Sequence, residues 1–153
     1  MMRHLWTRVL GAILLAAALW VPATTAQAQD KKIKIGVVYD LTGPFAGGGS
    51  DLHYLGAKIA IDWFNAKGGI EGYKVDAIYA DAQSKPDVAI NEAVRLIEQE
   101  KVDMLLGFFS SAECVPAAAR IEQLQKFMWI TTGIASPVLR DRHLKYVFRP
   151  PPY

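Results

Sequence analysis

Cysteine is almost absent from this chain of 153 residues, which contains only Cys114. A single cysteine cannot form an internal disulfide, and no Cys-x-x-Cys or mixed His/Cys spacing offers a set of zinc ligands. Charged residues make up only 21% of the chain and hydrophobic residues 52%, which excludes a disordered protein. Internal repeats and a glycine at every third position are also lacking, so a collagen-like fold is excluded. A globular domain with its own hydrophobic core remains.

The first 28 residues have the composition of a secretory signal peptide. Arg3 and Arg8 give a basic start, an apolar run of 13 residues extends from Val9 to Val21, and Ala26-Gln27-Ala28 is a small-x-small cleavage site. The run is shorter than the roughly 20 residues that a transmembrane helix needs. We therefore predict export to the periplasm with cleavage between Ala28 and Gln29; an uncleaved membrane anchor is the alternative.

Removal of this segment would change the charge balance. The remaining 125 residues carry 15 basic and 15 acidic side chains, and their longest basic cluster is Lys31 and Lys32 with Lys34. Nucleic-acid binding would need more extensive clustering of basic residues on one face. We expect a small-molecule ligand and no nucleic-acid partner.

The rest of the chain alternates between two hydrophobic patterns. Short apolar runs typical of buried strands occupy residues 32–39, 73–81, 102–109, 127–131 and 145–149. Between them, apolar residues recur with a period of 3.6, which predicts helices after residues 50, 84 and 113. This order predicts an α/β fold built from right-handed βαβ units, with a Rossmann-like parallel sheet and helices on both faces.

Local signals set the expected ends of the helices. Ser50 or Asp51 is predicted to cap the first helix, and Ser84 with Asp87 resembles a capping box for the second. Gly68 is predicted to end the first helix. The apolar positions of that helix follow the helical period and are Leu52, Leu55, Ile59, Ala60, Trp63 and Phe64.

Ligands of open parallel sheets bind outside the carboxyl ends of the strands. Three predicted loops leave that edge, at residues 40–49, 110–112 and 132–136. Ser110 and Ser111 lie at a helix N-terminus, where free backbone N–H groups favour an anion such as a carboxylate; capping of the helix is their alternative role. Phe45 and Phe109 are expected near the same edge and could wall an apolar ligand, although Phe108 and Phe109 could equally belong to the core.

Catalytic and nucleotide-binding signals are weak. The run Gly47 to Gly49 lacks the Lys-Ser/Thr of a P-loop, and no Gly-x-Gly-x-x-Gly joins strand to helix. His53 and His143 have no spaced partners for a triad or a metal site. Asp40 and Asp81 end two strands and are expected to form either a carboxylate pair or turns. We predict a non-enzymatic protein without cofactor or metal; a flavodoxin-like enzyme or nucleotide-binding domain is the alternative.

Several motifs together suggest a family. Thr42-Gly-Pro44 follows the first strand, Asn65-Ala-Lys-Gly-Gly-Ile70 ends the first helix, and Tyr146-Val-Phe-Arg149 forms the last strand. With Ser110-Ser111, these segments resemble the leucine/isoleucine/valine-binding type of periplasmic solute-binding protein, which delivers ligands to the permease subunits of ABC importers. The resemblance implies two α/β lobes that close on a small molecule, a longer chain than this one, and a monomer. Residues 29–153 would form a partial N-terminal lobe.

The resemblance also implies ligand-binding residues. In the family, the serine matching Ser111 and the loop matching Gly133, Ile134 and Ala135 hold the carboxylate and ammonium groups of an amino acid. A hydroxyl residue is usual in the family where this chain has Ala135. The resemblance therefore implies a branched-chain amino acid or related organic acid, or, as alternatives, an aromatic carboxylate or a urea or amide. The predicted ligand-binding residues are Ser110, Ser111, Gly133, Ile134, Ala135, Phe45 and Phe109.

Overall fold

The computed structural model describes residues 31–133 and 142–149. The predicted signal peptide, Ile134 and Ala135 lie outside these residues. In the part of the chain that is described, no helix combines the length and the apolar composition required to cross a bilayer.

The described residues form a parallel sheet with three helices. A single π-helical turn, Ala46–Ser50, leads into the first helix. The elements are β1 (Lys32–Tyr39), α1 (Asp51–Ala66), β2 (Lys74–Asp81), α2 (Pro86–Glu98), β3 (Met104–Gly107), α3 (Ser111–Gln123), β4 (Phe127–Ile130) and β5 (Val147–Phe148). All strand pairs are parallel, in the order β2-β1-β3-β4-β5. The predicted fold class is therefore confirmed.

Strand β3 is shorter than the apolar run 102–109 predicts. Gly107 has a φ of +124° and Phe108 a φ of +64°, so the chain turns out of the sheet as soon as β3 ends. Phe108 is buried nonetheless, because its side chain enters the core at this turn.

The strand order determines which helices share a face. The chain moves from β1 to β2 in one direction and from β2 through β3 and β4 to β5 in the other. Because such crossovers are right-handed, α1 lies on one face of the sheet and α2 and α3 on the other. The buried core is on the α2 and α3 side, where the buried helix residues are Ala89, Ala93, Leu96, Ile97, Cys114, Ala117, Ala118 and Ile121.

Helix α1 differs from the other two helices in its burial. None of its residues is buried, and the exposed fractions of its apolar side chains include 69% for Leu52, 59% for Ile59 and 51% for Trp63. A polar contact fixes it to the sheet: the Asn65 side chain exchanges two hydrogen bonds, each of 2.8 Å, with the backbone of Val75 on β2.

The helix termini correct two predictions and confirm two. Ser50 does not cap α1, because its Oγ accepts the backbone N–H of Asp40 at 2.8 Å. Ser84 does not open a capping box, since α2 begins at Pro86 without a side-chain cap. Ser110 caps α3, accepting the N–H of Glu113 at 3.3 Å. The chain leaves α1 through Gly68, at a φ of +104°, as predicted.

Pro116 also lies deeper in its helix than the sequence indicates. Helix α3 begins at Ser111, two residues before the predicted start, so Pro116 falls in the second turn and not in the first. Proline has no N–H to donate to the carbonyl four residues earlier, which belongs to Ala112. Ala112 is exposed, so water can solvate that carbonyl group.

Candidate functional site

The strand order reverses between β1 and β3, and ligands of open α/β sheets bind at such a switch point. Val38 of β1 pairs with Gly107 of β3, and the N–H of Phe108 donates to the carbonyl of Val38 at 2.8 Å. A Cβ at Gly107 would clash with that carbonyl, so only glycine permits this close approach. The loops after β1 and β3 consequently leave the sheet side by side.

The N-terminus of α3 offers two backbone donors at this edge. The Ser110 hydroxyl accepts the N–H of Glu113, and the Ser110 carbonyl accepts the N–H of Cys114 at 3.0 Å. The N–H groups of Ser111 and Ala112 have no hydrogen-bond partner among the described residues. Together with the positive end of the helix dipole, they form an anion-binding arrangement suited to a carboxylate.

Three ring side chains stand beside these donors, and we call them the aromatic wall: Phe45, His53 and Phe109. The centroid of the Phe109 ring is 6.2 Å from that of Phe45 and 5.5 Å from that of His53. Gly49, with a φ of +123°, lies directly against the Phe109 ring. The glycine-rich loop therefore leaves room for the ring of Phe109 and does not form a phosphate cradle.

A chain of hydroxyl groups joins the wall to the loop after β4. The Tyr39 hydroxyl is 2.7 Å from Thr131 Oγ1, Thr131 Oγ1 is 3.4 Å from Thr132 Oγ1, and Thr132 Oγ1 is 3.2 Å from His53 Nδ1. Burial raises the pKa of Tyr39, so its hydroxyl keeps its proton at neutral pH. His53 and Thr132 are exposed at the edge and accessible to a ligand.

Sequence reasoning missed His53, because a histidine without a spaced partner carries no motif. One signal was available: His53 is the third residue of α1, directly after the loop that leaves β1. A residue in the first turn of that helix must lie at the carboxyl edge of the sheet.

The structure brings four of the predicted ligand-binding residues together: Phe45, Phe109, Ser110 and Ser111. Gly133 lies next to them, but its N–H donates to the Phe108 carbonyl at 3.1 Å, and a Cβ there would clash with Cys114 Sγ. Its place in the structure is therefore that of a close-packing glycine.

Two other aromatic residues that the sequence leaves open lie elsewhere. Phe108 is part of the core, with 1% of its surface exposed. Tyr54 packs edge-on against Tyr79 of β2, at a centroid distance of 5.2 Å. Neither contributes to the aromatic wall.

The carboxylate of Asp81 organises the loop after β1. It accepts the N–H groups of Leu41 at 2.9 Å and Gln83 at 2.8 Å, and the hydroxyl of Thr42 at 2.6 Å. Burial alone would raise its pKa, but these hydrogen bonds outweigh burial and lower the pKa. The turn role expected for Asp81 is confirmed, and the carboxyl that faces Asp40 belongs to Glu113. Within the described ranges, no group of three or more His, Cys, Asp or Glu side chains is placed to hold a metal ion.

Comparison with known families agrees with this geometry. The model of the periplasmic binding protein family matches residues 32–149. The chain therefore belongs to the periplasmic binding protein family.

Curated relatives and solved structures of similar proteins are considerably longer. The chain is 38% identical over 140 residues to Leu/Ile/Val-binding protein homolog 7 of Brucella melitensis, covering 92% of this chain and 34% of the relative. It is 30% identical over 149 residues to the leucine-specific-binding protein of Salmonella typhimurium, covering 97% and 38%. The chain thus spans about a third of the length of the curated relatives it matches.

Two solved structures show the same lobe with different ligands. One is the branched-chain amino acid transporter substrate binding protein of Streptococcus pneumoniae in complex with isoleucine, with a TM-score of 0.72, 25% identity and coverage of 78% of this chain and 33% of that one. The other is a solute binding protein of an ABC transporter from R. palustris in complex with 4-hydroxybenzoate, with a TM-score of 0.62, 25% identity and coverage of 78% and 31%.

Proposed function

We propose that this chain belongs to the substrate-binding component of an ABC importer, and that it captures a branched-chain amino acid or a related small organic acid in the periplasm. The observation that supports this most directly is the N-terminus of α3. There, the N–H groups of Ser111 and Ala112, which have no partner among the described residues, lie beside the aromatic wall at the switch point of the sheet. Family membership and the named relatives agree with it.

In this proposal the chain binds its ligand and performs no chemistry on it. The ligand carboxylate accepts the N–H groups of Ser111 and Ala112 and the Ser111 hydroxyl, while the aromatic wall shields its apolar part from water. A ligand can shift a protein between open and closed forms only through contacts that differ between them. The partners in this proposal are the ligand and the permease subunits of the importer, which would recognise the closed form.

An aromatic carboxylate is a second candidate ligand, and the aromatic wall favours it. Phe45, His53 and Phe109 present ring faces and edges next to the proposed carboxylate site. The hydroxyl chain that ends at Thr132 and His53 offers hydrogen-bonding partners to a polar substituent on a ring. The R. palustris relative in complex with 4-hydroxybenzoate shows that a lobe of this shape occurs with such a ligand.

Calorimetric titration with L-leucine, L-isoleucine and 4-hydroxybenzoate tests the proposal. One of these carboxylates is expected to bind 1:1, and Ser111→Ala is expected to weaken it about 10-fold or more, since a hydrogen bond to a charged group contributes about 1.5–3 kcal/mol. Gln123→Ala, at the opposite end of the same helix, is the matched control and should leave the Kd unchanged. Full affinity in Ser111→Ala would contradict the site.

Phe109→Ala separates the two ligand classes. Loss of the ring should weaken 4-hydroxybenzoate much more than L-leucine if the wall recognises an aromatic ligand. Equal weakening of both would favour the aliphatic amino acid, because the ring would then serve only as apolar surface.

A further inference from the structure

Two carboxyl groups are buried together beneath the N-terminus of α3. Asp40 is 0% and Glu113 1% exposed. Neither forms an ion pair with a lysine or arginine in the described part of the chain. Asp40 Oδ2 and both carboxylate oxygens of Glu113 also lack a hydrogen-bond donor there. Buried charges without partners are costly, so this arrangement requires an explanation.

A shared proton supplies that explanation. The Glu113 carboxyl faces that of Asp40, and two ionised carboxylates can only accept hydrogen bonds and repel each other. One proton turns one of them into a donor, so that the pair gains a hydrogen bond and loses one of its two charges. Burial, followed by the hydrogen bond and charge of Asp40, raises the pKa of Glu113 to about 7, against a smaller lowering effect of Ser110.

The surroundings of the pair provide no other proton at this pH. Cys114, the next residue of α3, is the other titratable group that faces both carboxyls. Burial, and then the charges of Glu113 and Asp40, raise the pKa of its thiol, so it stays neutral. The remaining contacts are polar and uncharged, from Ser84 of the loop after β2 and Ser110 of the loop after β3.

The pair also connects the three loops around the proposed ligand site. The N–H of Asp40 donates to Ser50 Oγ, just before α1, at 2.8 Å. Asp40 Oδ1 accepts the N–H of Ser84, in the loop after β2, at 2.8 Å. Glu113 is tied to the loop after β3, because its N–H donates to Ser110 Oγ at 3.3 Å.

We propose that Asp40 and Glu113 share one proton, and that the protonated pair positions the loops carrying Ser84 and Ser110 at the carboxyl edge of the sheet. Loss of this proton places two charges in the buried space and loosens the connection. Asp40 and Glu113 are thus positioning residues beneath Ser111. Their consequence for ligand affinity rests on the proposed function, whereas the shared proton and the loop geometry do not.

Urea unfolding of the whole chain between pH 4.5 and 8.5 tests the shared proton. The pKa of Glu113 is raised on folding from its ordinary value of 4.5 to about 7, so the folded chain holds a proton that the unfolded chain has lost. Stability is therefore lost as the pH rises through this window, and the folding equilibrium constant should fall by up to about tenfold per pH unit.

Glu113→Gln is the decisive variant. Its neutral amide donates to the Asp40 carboxylate as protonated Glu113 does, so its pH profile should be flat relative to the wild type, and it should be the more stable protein at pH 8. Glu98→Gln makes the same chemical change at an exposed position of α2 and should keep the wild-type slope. Equal slopes in the wild type and Glu113→Gln would overturn the proposal.

The backbone N–H of Ser84 gives a second readout in ¹⁵N NMR, because it reports on Asp40 directly. Its chemical shift should titrate with a midpoint near 7 in the wild type and in Glu98→Gln, and should not titrate near 7 in Glu113→Gln. A constant shift in the wild type would overturn the proposal. If Glu113→Gln does not fold, Asp40→Asn makes the same test, since its amide can donate to Glu113. Neither readout uses a ligand, so a failed ligand titration would overturn only the proposed function.

Discussion

The two faces of the sheet differ sharply, although the helices on them carry the same kind of hydrophobic pattern. On one face, Leu96 of α2 is fully buried between the sheet and α3. On the other face, Ile59 of α1 is 59% exposed. The comparison shows that a period of 3.6 identifies which residues share a side of a helix. Whether that side is covered depends on a further layer of structure.

The strands on the α1 face repeat this difference. Residues alternate along β4, so Met128 is buried on one side and Trp129 is 41% exposed on the other. Apolar side chains of three strands line an open hollow of about 270 Å³ on the exposed face: Met104, Phe127, Trp129 and Phe148. Contiguous apolar surface of this kind is uncommon on folded domains. Stability should therefore depend unequally on the two faces.

Truncation of one apolar residue on each face should give the largest contrast. Leu96→Ala removes a fully buried side chain from the core and is expected to lower the free energy of unfolding by about 2–5 kcal/mol. Ile59→Ala makes a similar change on the exposed side of α1 and is expected to stay within about 0.5 kcal/mol of the wild type. Urea unfolding at pH 7 measures both. A cost of 2 kcal/mol or more for Ile59→Ala would show that the α1 face is covered in solution.

Glycine replacements should sharpen the same contrast with smaller effects of opposite sign. Gly107→Ala adds a Cβ against the Val38 carbonyl at a φ of +124°, and the backbone conformation alone is expected to cost about 1–3 kcal/mol. In α1, a Cβ added at Gly56 would meet no atom within 4 Å, so Gly56→Ala is expected to stabilise the helix by about 0.5–1 kcal/mol. Thermal unfolding followed by circular dichroism separates them. Destabilisation by Gly56→Ala would contradict an open α1 face.

Local patterns predicted the fold class well, because parallel strands and crossover helices leave strong periodic signals. The bounds of β1 agree with the sequence prediction, and the end of α1 at Gly68 follows from glycine chemistry. The wrong predictions concern Ser50 and Ser84, whose hydroxyls have partners far along the chain. Ser84 Oγ accepts the N–H of Phe45, 39 residues away, and no local motif can indicate such a contact.

The site was predicted in part for the same reason. Ser110 and Ser111 follow a buried strand and open a helix, so the rule for parallel sheets places them at the ligand edge. The pairing of Asp40 with Glu113 depends instead on how α3 packs beneath the loop after β1. His53 joins the aromatic wall because the π-helical turn Ala46–Ser50 directs the start of α1 toward Phe109.

Mapping of backbone amide shifts by ¹⁵N NMR during titration with L-leucine and with 4-hydroxybenzoate tests the central claim most directly. The N–H groups of Ser111 and Ala112 should show the largest changes, because they donate to the ligand carboxylate, and the amide of His53 should follow. Changes centred on Met104 and Trp129, or no changes with any carboxylate, would contradict a ligand site at the N-terminus of α3.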